Sequence, residues 1–157
     1  MAAKRWVLLS YRLPREPSTP RITLWRALRG LGVAQLGDGL VALPADARTR
    51  EQLEWLAEEV EQAGGEAAIW LAEPGSARQE RALEARMQAE IAEQYRQLIE
   101  AAEKALHMDP GARKRSLGRL RRELRKINRR DYFPPPERKA AQEAVAKLAA
   151  SLEEVTA

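Results

Sequence analysis

Cysteine is absent from the 157 residues, and histidine occurs once, at His107. The first absence removes disulfides, thiolate metal sites and thiol nucleophiles, and the second removes any site built from several histidines. Long apolar runs are missing as well. A membrane-spanning helix needs about 20 consecutive apolar residues, which nothing here approaches, so a spanning helix is excluded. Near the N-terminus the apolar run covers only residues 6–9, too short for a signal-peptide core, and a cytoplasmic location is expected. No glycine-rich phosphate loop, pair of metal-binding carboxylates or Ser-His-Asp set can be read. The expectation is therefore a protein without catalytic residues, metal or cofactor, and not an enzyme. His107, at the end of a helical pattern, is expected to contact exposed helix carbonyls rather than to bind metal.

What is present is charge. Charged residues make up 32% of the chain and hydrophobic ones 45%, which argues for a folded domain, with room for a helical appendage. Basic residues outnumber acidic ones by 27 to 23, but they are segregated. Residues 4–29 carry seven basic and one acidic residue, and residues 112–130 carry ten and one. Between them, residues 30–111 carry seven basic and sixteen acidic. Such a pattern suits a partner with repeated negative charge or a self-complementary contact between copies.

The apolar periodicity divides the chain. Residues 5–11 (RWVLLSY) read as a strand, followed by a proline-rich loop. Thr19 before Pro20 fits an N-cap with proline in the first turn, and Ile22, Trp25, Leu28 and Leu31 recur at helical spacing up to Gly32. Residues 33–36 and 40–43 flank Gly37-Asp38-Gly39 as a hairpin. Thr49 with Gln52 resembles a capping box for a helix carrying Leu53, Leu56, Ala57 and Val60, which ends at Gly64-Gly65. Residues 66–71 form the fourth strand. This order predicts an α+β, ferredoxin-like βαββαβ sheet domain over 4–73. A three-helix extension is expected over 76–155. Ser76 and Gln79 cap its first helix, with Leu83, Met87, Ile91, Tyr95, Leu98, Ala102 and Leu106 on one face. Asp109-Pro110 opens a second over 110–131, Pro134-Pro135-Pro136 breaks it, and Ala141, Ala144, Val145, Leu148 and Leu152 mark a third. Trp6, Trp25, Trp55 and Trp70 fall on strands and helices, where core packing is the first expectation.

Two features can carry function. On the helix over 110–131, Leu117, Leu120, Leu124 and Ile127 fall within about 80° of arc at 100° per residue. Lys114, Arg115, Arg119, Arg121, Arg122, Arg125, Lys126, Arg129 and Arg130 occupy about the opposite 180°. Such a cationic rail suits the phosphates of duplex DNA; the alternative is a solvated face paired with the chain's own glutamates. The other feature is the loop into the first helix, where Arg12, Arg15, Ser18, Thr19 and Arg21 suit a tetrahedral oxyanion such as chromate or sulfate. Its alternative is a rigid connection whose hydroxyls only cap the helix.

The string RWVLLSYRLPREPSTPRITLWRALRGLGVAQLGDGLVALP, over 5–44, followed by TREQLEWLAEEVEQAGGEA, over 49–67, resembles the N-terminal domain of the chromate-resistance ChrB family. The segment over 11–21 is its most specific part. The resemblance implies a regulator of chromate-resistance genes that binds DNA and responds to chromate. The partners expected are DNA and a second copy of the chain in a homodimer, with no membrane. Longer members of the family carry a second, C-terminal domain, whose functions are not expected here. Trp25-Arg26, Leu28, Leu31-Gly32-Val33, Leu36, Gly39 and Pro44 are also similar to the sheet domain of PaaX-type repressors, related in fold to CRISPR-associated nucleases. Those nucleases place an Asp at the end of the first strand to hold a metal, whereas Tyr11-Arg12-Leu13 puts a cation there, so nuclease activity is not expected. The competing expectation is an oxyanion-sensing or accessory protein that does not bind DNA directly.

Overall fold

The computed structural model describes residues 5–156; Lys4, where the predicted sheet domain begins, lies outside them. Four strands, β1 (Trp6–Arg12), β2 (Ala34–Gly37), β3 (Leu40–Pro44) and β4 (Glu66–Ala72), form one antiparallel sheet in the order β2-β3-β1-β4. Helices α1 (Thr19–Leu31) and α2 (Ala47–Gln62) connect them in the ferredoxin-like order. Alternation along β1 sends Val7 and Leu9 to one side, where both are fully buried with their register neighbours Leu43 and Val41. The core is completed by Leu24 and Leu28 of α1 and by Leu53, Leu56 and Val60 of α2, which lies against β1 and β4.

Three further helices follow: α3 (Ala77–Ala105), α4 (Pro110–Arg129) and α5 (Glu137–Thr156). The chain divides into two compact units, residues 1–84 and 85–157, and the division falls inside α3. The second unit has its own core. Ile91, Tyr95, Leu98, Ala102 and Ala105 of α3 meet Leu117, Leu120 and Ile127 of α4 and Ala141, Val145 and Leu148 of α5. These are largely the apolar stripes predicted from helical spacing, with Leu106, Leu124, Ala144 and Leu152 packed at the margin.

Three expectations are corrected. Of the four tryptophans only Trp6 is buried; Trp25, Trp55 and Trp70 are each more than half exposed. On α1 the sheet-facing residues are Leu24 and Leu28, which turns Trp25 and Ile22 toward solvent. Trp55 lies between the buried Leu53 and Leu56 on α2 but is itself turned outward. Trp70, on β4 at the sheet edge, donates its indole N–H to Ser10 Oγ at 2.9 Å. The second correction concerns α2, which is capped by Asp46 rather than Thr49. Asp46 Oδ1 accepts from the Thr49 amide (2.7 Å), and Thr49 Oγ1 accepts from the Asp46 amide (3.0 Å). Thr49 is therefore the third helical residue, fully buried, and also donates to the Pro44 carbonyl at 2.6 Å. The third is that Ser18, not Thr19, is the N-cap of α1, and its hydroxyl makes no capping bond.

Candidate functional site

The cationic helix is built from its ends. At the start of α4, Asp109 accepts from the Ala112 amide at 2.9 Å while Pro110 occupies the first turn, where a missing N–H costs nothing. At the other end the Tyr95 hydroxyl donates to Asp131 Oδ2 at 2.8 Å and lies 2.9 Å from the Asn128 side-chain oxygen. The hydroxyl has one proton, so both contacts are satisfied when Asn128 turns its amide N–H toward it. The Asp131 side chain is fully buried and faces Arg138 at 3.5 Å. Burial, followed by the bond to Asp131 and its charge, pushes the Tyr95 pKa well above the usual tyrosine range.

Between these anchors the helix presents two different faces. Leu117, Leu120 and Ile127 are buried, whereas Lys114, Arg115, Arg119, Arg121, Arg122, Arg125, Lys126 and Arg129 are exposed. Among the described residues, none of these eight side chains forms an ion pair or hydrogen bond. The ninth predicted member, Arg130, behaves differently. Its Nε donates to Gln94 Oε1 at 2.8 Å and its Nη2 lies 3.6 Å from Glu123, which leaves the side chain only 17% exposed. Arg113, at the middle of the apolar arc, donates to the Met108 carbonyl at 2.9 Å. His107 is exposed, and its side chain has no hydrogen-bond partner among the described residues, so the expected carbonyl contact is not made.

The second site lies in the sheet unit. Because β3 runs antiparallel beside β1, Leu40 stands opposite Ser10 and the β2–β3 turn comes to rest against the end of β1. The Tyr11 amide donates to the Gly39 carbonyl at 2.8 Å. Gly39 has φ +70°, and a Cβ there would strike the Tyr11 carbonyl oxygen, so both backbone angle and space call for glycine. On the other side of the strand, a Cβ at Gly65 would strike the Arg12 carbonyl oxygen. The chain leaving β1 is thus held between two glycine turns, and an open cleft of about 920 Å³ forms where it meets α1.

Four of the five residues predicted for an oxyanion, Arg12, Arg15, Ser18 and Arg21, line this cleft. Thr19 is exposed and does not line it. Among the described residues the three arginines have no ion-pair or hydrogen-bond partner, although Glu66 stands opposite Arg12 in the β1–β4 register. The same cleft is lined by Trp25 of α1 and by Gln35 and Asp38 of the hairpin, none of which sequence reasoning placed here. The Asp38-Gly39 turn was itself visible; pairing β3 with β1, as the ferredoxin-like order requires, would have carried it to this cleft.

A family model described as Protein ChrB, N-terminal, matches residues 21–108, a span that holds Arg21 and ends two residues before α4. Among curated proteins, "Protein ChrB" of Cupriavidus metallidurans (strain ATCC 43123 / DSM 2839 / NBRC 102507 / CH34) is 29% identical over 133 residues. The alignment takes in 82% of this chain and 40% of that protein, so the chain spans well under half of its relative's length. No solved structure matches significantly. No helix among the described residues is long and apolar enough to cross a membrane. With more than half of its residues under the family model, the chain belongs to the ChrB N-terminal family.

Proposed function

We propose that this protein is a non-enzymatic DNA-binding regulator of chromate resistance that holds duplex phosphates on α4. The reading rests on one observation: eight exposed cations on a single helix are free of ion pairs among the described residues. Fixing so many like charges together, unpaired, costs folding energy that a polyanion returns by releasing its counterions. Resemblance to the chromate-resistance family supports the regulatory role. Contacts of this kind position the protein on the duplex and carry no sequence information, so base readout needs groups beyond the rail.

Gel shifts with the full chain on duplex DNA at stepped salt test the proposal. Binding is expected at 50 mM salt and should weaken by at least a hundredfold at 200 mM, in line with several phosphate contacts. Charge reversal of Arg121, Arg122 and Arg125 to Glu should weaken binding uniformly across sequences while leaving the circular dichroism spectrum intact. No shift at low salt, or full affinity in the triple variant, overturns the reading.

A second reading is favoured by the cleft, which gathers three unpaired arginines and the free Ser18 hydroxyl. Here the protein senses an oxyanion, chromate or sulfate, gripped by forked guanidinium bonds. Calorimetric heats for these anions no larger than those for chloride would count against it.

A further inference from the structure

The cleft at the end of β1 is larger and more varied than a small inorganic anion requires. A tetrahedral dianion displaces roughly two water volumes, on the order of 60 Å³, against about 920 Å³ of open space here. Clefts of several hundred Å³ ordinarily accommodate organic ligands and cofactors. Its lining includes three cations, Arg12, Arg15 and Arg21, with the Ser18 hydroxyl, beside the first turn of α1, which contains no acidic residue. It also includes a large aromatic surface, Trp25, one helical turn after Arg21 on α1, more than half exposed and steadied by the Arg29 guanidinium 4.9 Å from its ring centroid. Asp38 supplies an acceptor-only carboxylate with no partner among the described residues. An inorganic anion would use the arginines and leave the indole and the carboxylate idle.

We propose that this cleft binds a free nucleoside phosphate: phosphate oxygens at Arg12, Arg15 and Arg21, the base against Trp25, and a base amino group or ribose hydroxyl donating to Asp38. The inference rests on the second reading above, that the cleft is an anion site, and names its ligand class. Forked guanidinium contacts suit phosphate oxygens, and an exposed indole stacks on any base because every base has a π face. The proposal needs no contribution from α4.

The test is titration of the full chain with AMP, ADP, sulfate, chromate and a short oligothymidylate at one ionic strength, by calorimetry and tryptophan fluorescence. AMP or ADP is expected to bind at least tenfold more tightly than sulfate or chromate and to quench fluorescence. Trp25→Leu should abolish the quenching, and Arg12→Gln with Arg21→Gln should weaken binding tenfold or more. These side chains are exposed, and an unchanged thermal melt confirms that each variant folds. Sulfate or chromate binding as tightly as the nucleotides overturns the proposal while the anion reading survives. Failure of all the ligands overturns both. Tight binding of the oligonucleotide alone, through Trp25, assigns the cleft to strand recognition and overturns the free-nucleotide proposal.

Discussion

Gly118 lies within the cationic face of α4, where a glycine costs about 0.5–1 kcal/mol relative to alanine. Nothing in the fold requires it: the nearest heavy atom to a Cβ there would be Arg122 Nη1 at 3.6 Å, an ordinary contact. Gly118→Ala should therefore stabilise the protein by about that amount and raise its melting temperature by about 1–4 °C in scanning calorimetry. A lower melting temperature would show that the glycine serves the fold after all. Tyr95 is the opposite case, a residue whose every polar contact is internal. Tyr95→Phe should cost about 1–3 kcal/mol at neutral pH, because a buried carboxylate loses its donor. The pH dependence has a definite sign. The folded-state pKa is raised, so above the ordinary value near 10 the unfolded chain loses a proton that the folded one keeps. Stability attributable to Tyr95 is complete below that pH and falls as pH rises above it. Urea titrations between pH 8 and 11.5 should show the wild type and Tyr95→Phe converging toward the alkaline end; parallel curves would contradict the assignment.

At the scale of elements, the start of α2 separates what was legible from what was not. Both Asp46 and Thr49 are residues that cap helices, and the pattern Thr49 to Gln52 was as good a match as Asp46 to Thr49. The choice is made by β3, whose Pro44 carbonyl accepts the Thr49 hydroxyl and draws that side chain into the core. Asp46→Ala should cost about 1 kcal/mol, and Thr49→Val more, since it leaves both the Pro44 carbonyl and the Asp46 amide without their partner. Urea unfolding midpoints check the order, and equal costs would contradict it. The strand and helix sequence was readable because apolar period and turn residues are local properties. The stripes of α4 were equally plain, their two faces differing in both charge and hydropathy. The exposure of Trp25, Trp55 and Trp70 was not, because periodicity says which residues share a face and tertiary contact decides which face is covered. The hairpin's share of the cleft escaped for a related reason: Arg12 and Asp38 lie far apart in sequence and come to one cleft only through the β1–β3 register. Arg130 was read as part of the rail because its angle fits, but Gln94 and Glu123 fasten it into the bundle.

For the whole molecule the decisive quantity is where the charge resides. Residues 1–84 carry eleven basic and twelve acidic side chains and residues 85–157 carry sixteen and eleven, so the excess of positive charge belongs to the helical unit. A 20-residue helix is about 30 Å long, and duplex DNA presents one phosphate charge per about 1.7 Å of axis, so the rail has enough phosphates within its length. Its side chains radiate over about half a turn, however, and cannot all meet one surface. Arg122 sits at the middle of the cationic arc, with Arg115, Arg119, Arg125, Lys126 and Arg129 within about 60° to either side. Six contacts imply a slope of log K against log salt near −5, since each phosphate neutralised contributes about −0.9. Arg122→Gln should reduce the steepness of that slope by about one unit, whereas Arg130→Gln, which removes a cation already engaged with Glu123, should leave it unchanged and lower thermal stability instead. Binding isotherms at four or more salt concentrations separate the two effects, and a wild-type slope shallower than about −2 would place the duplex somewhere other than α4.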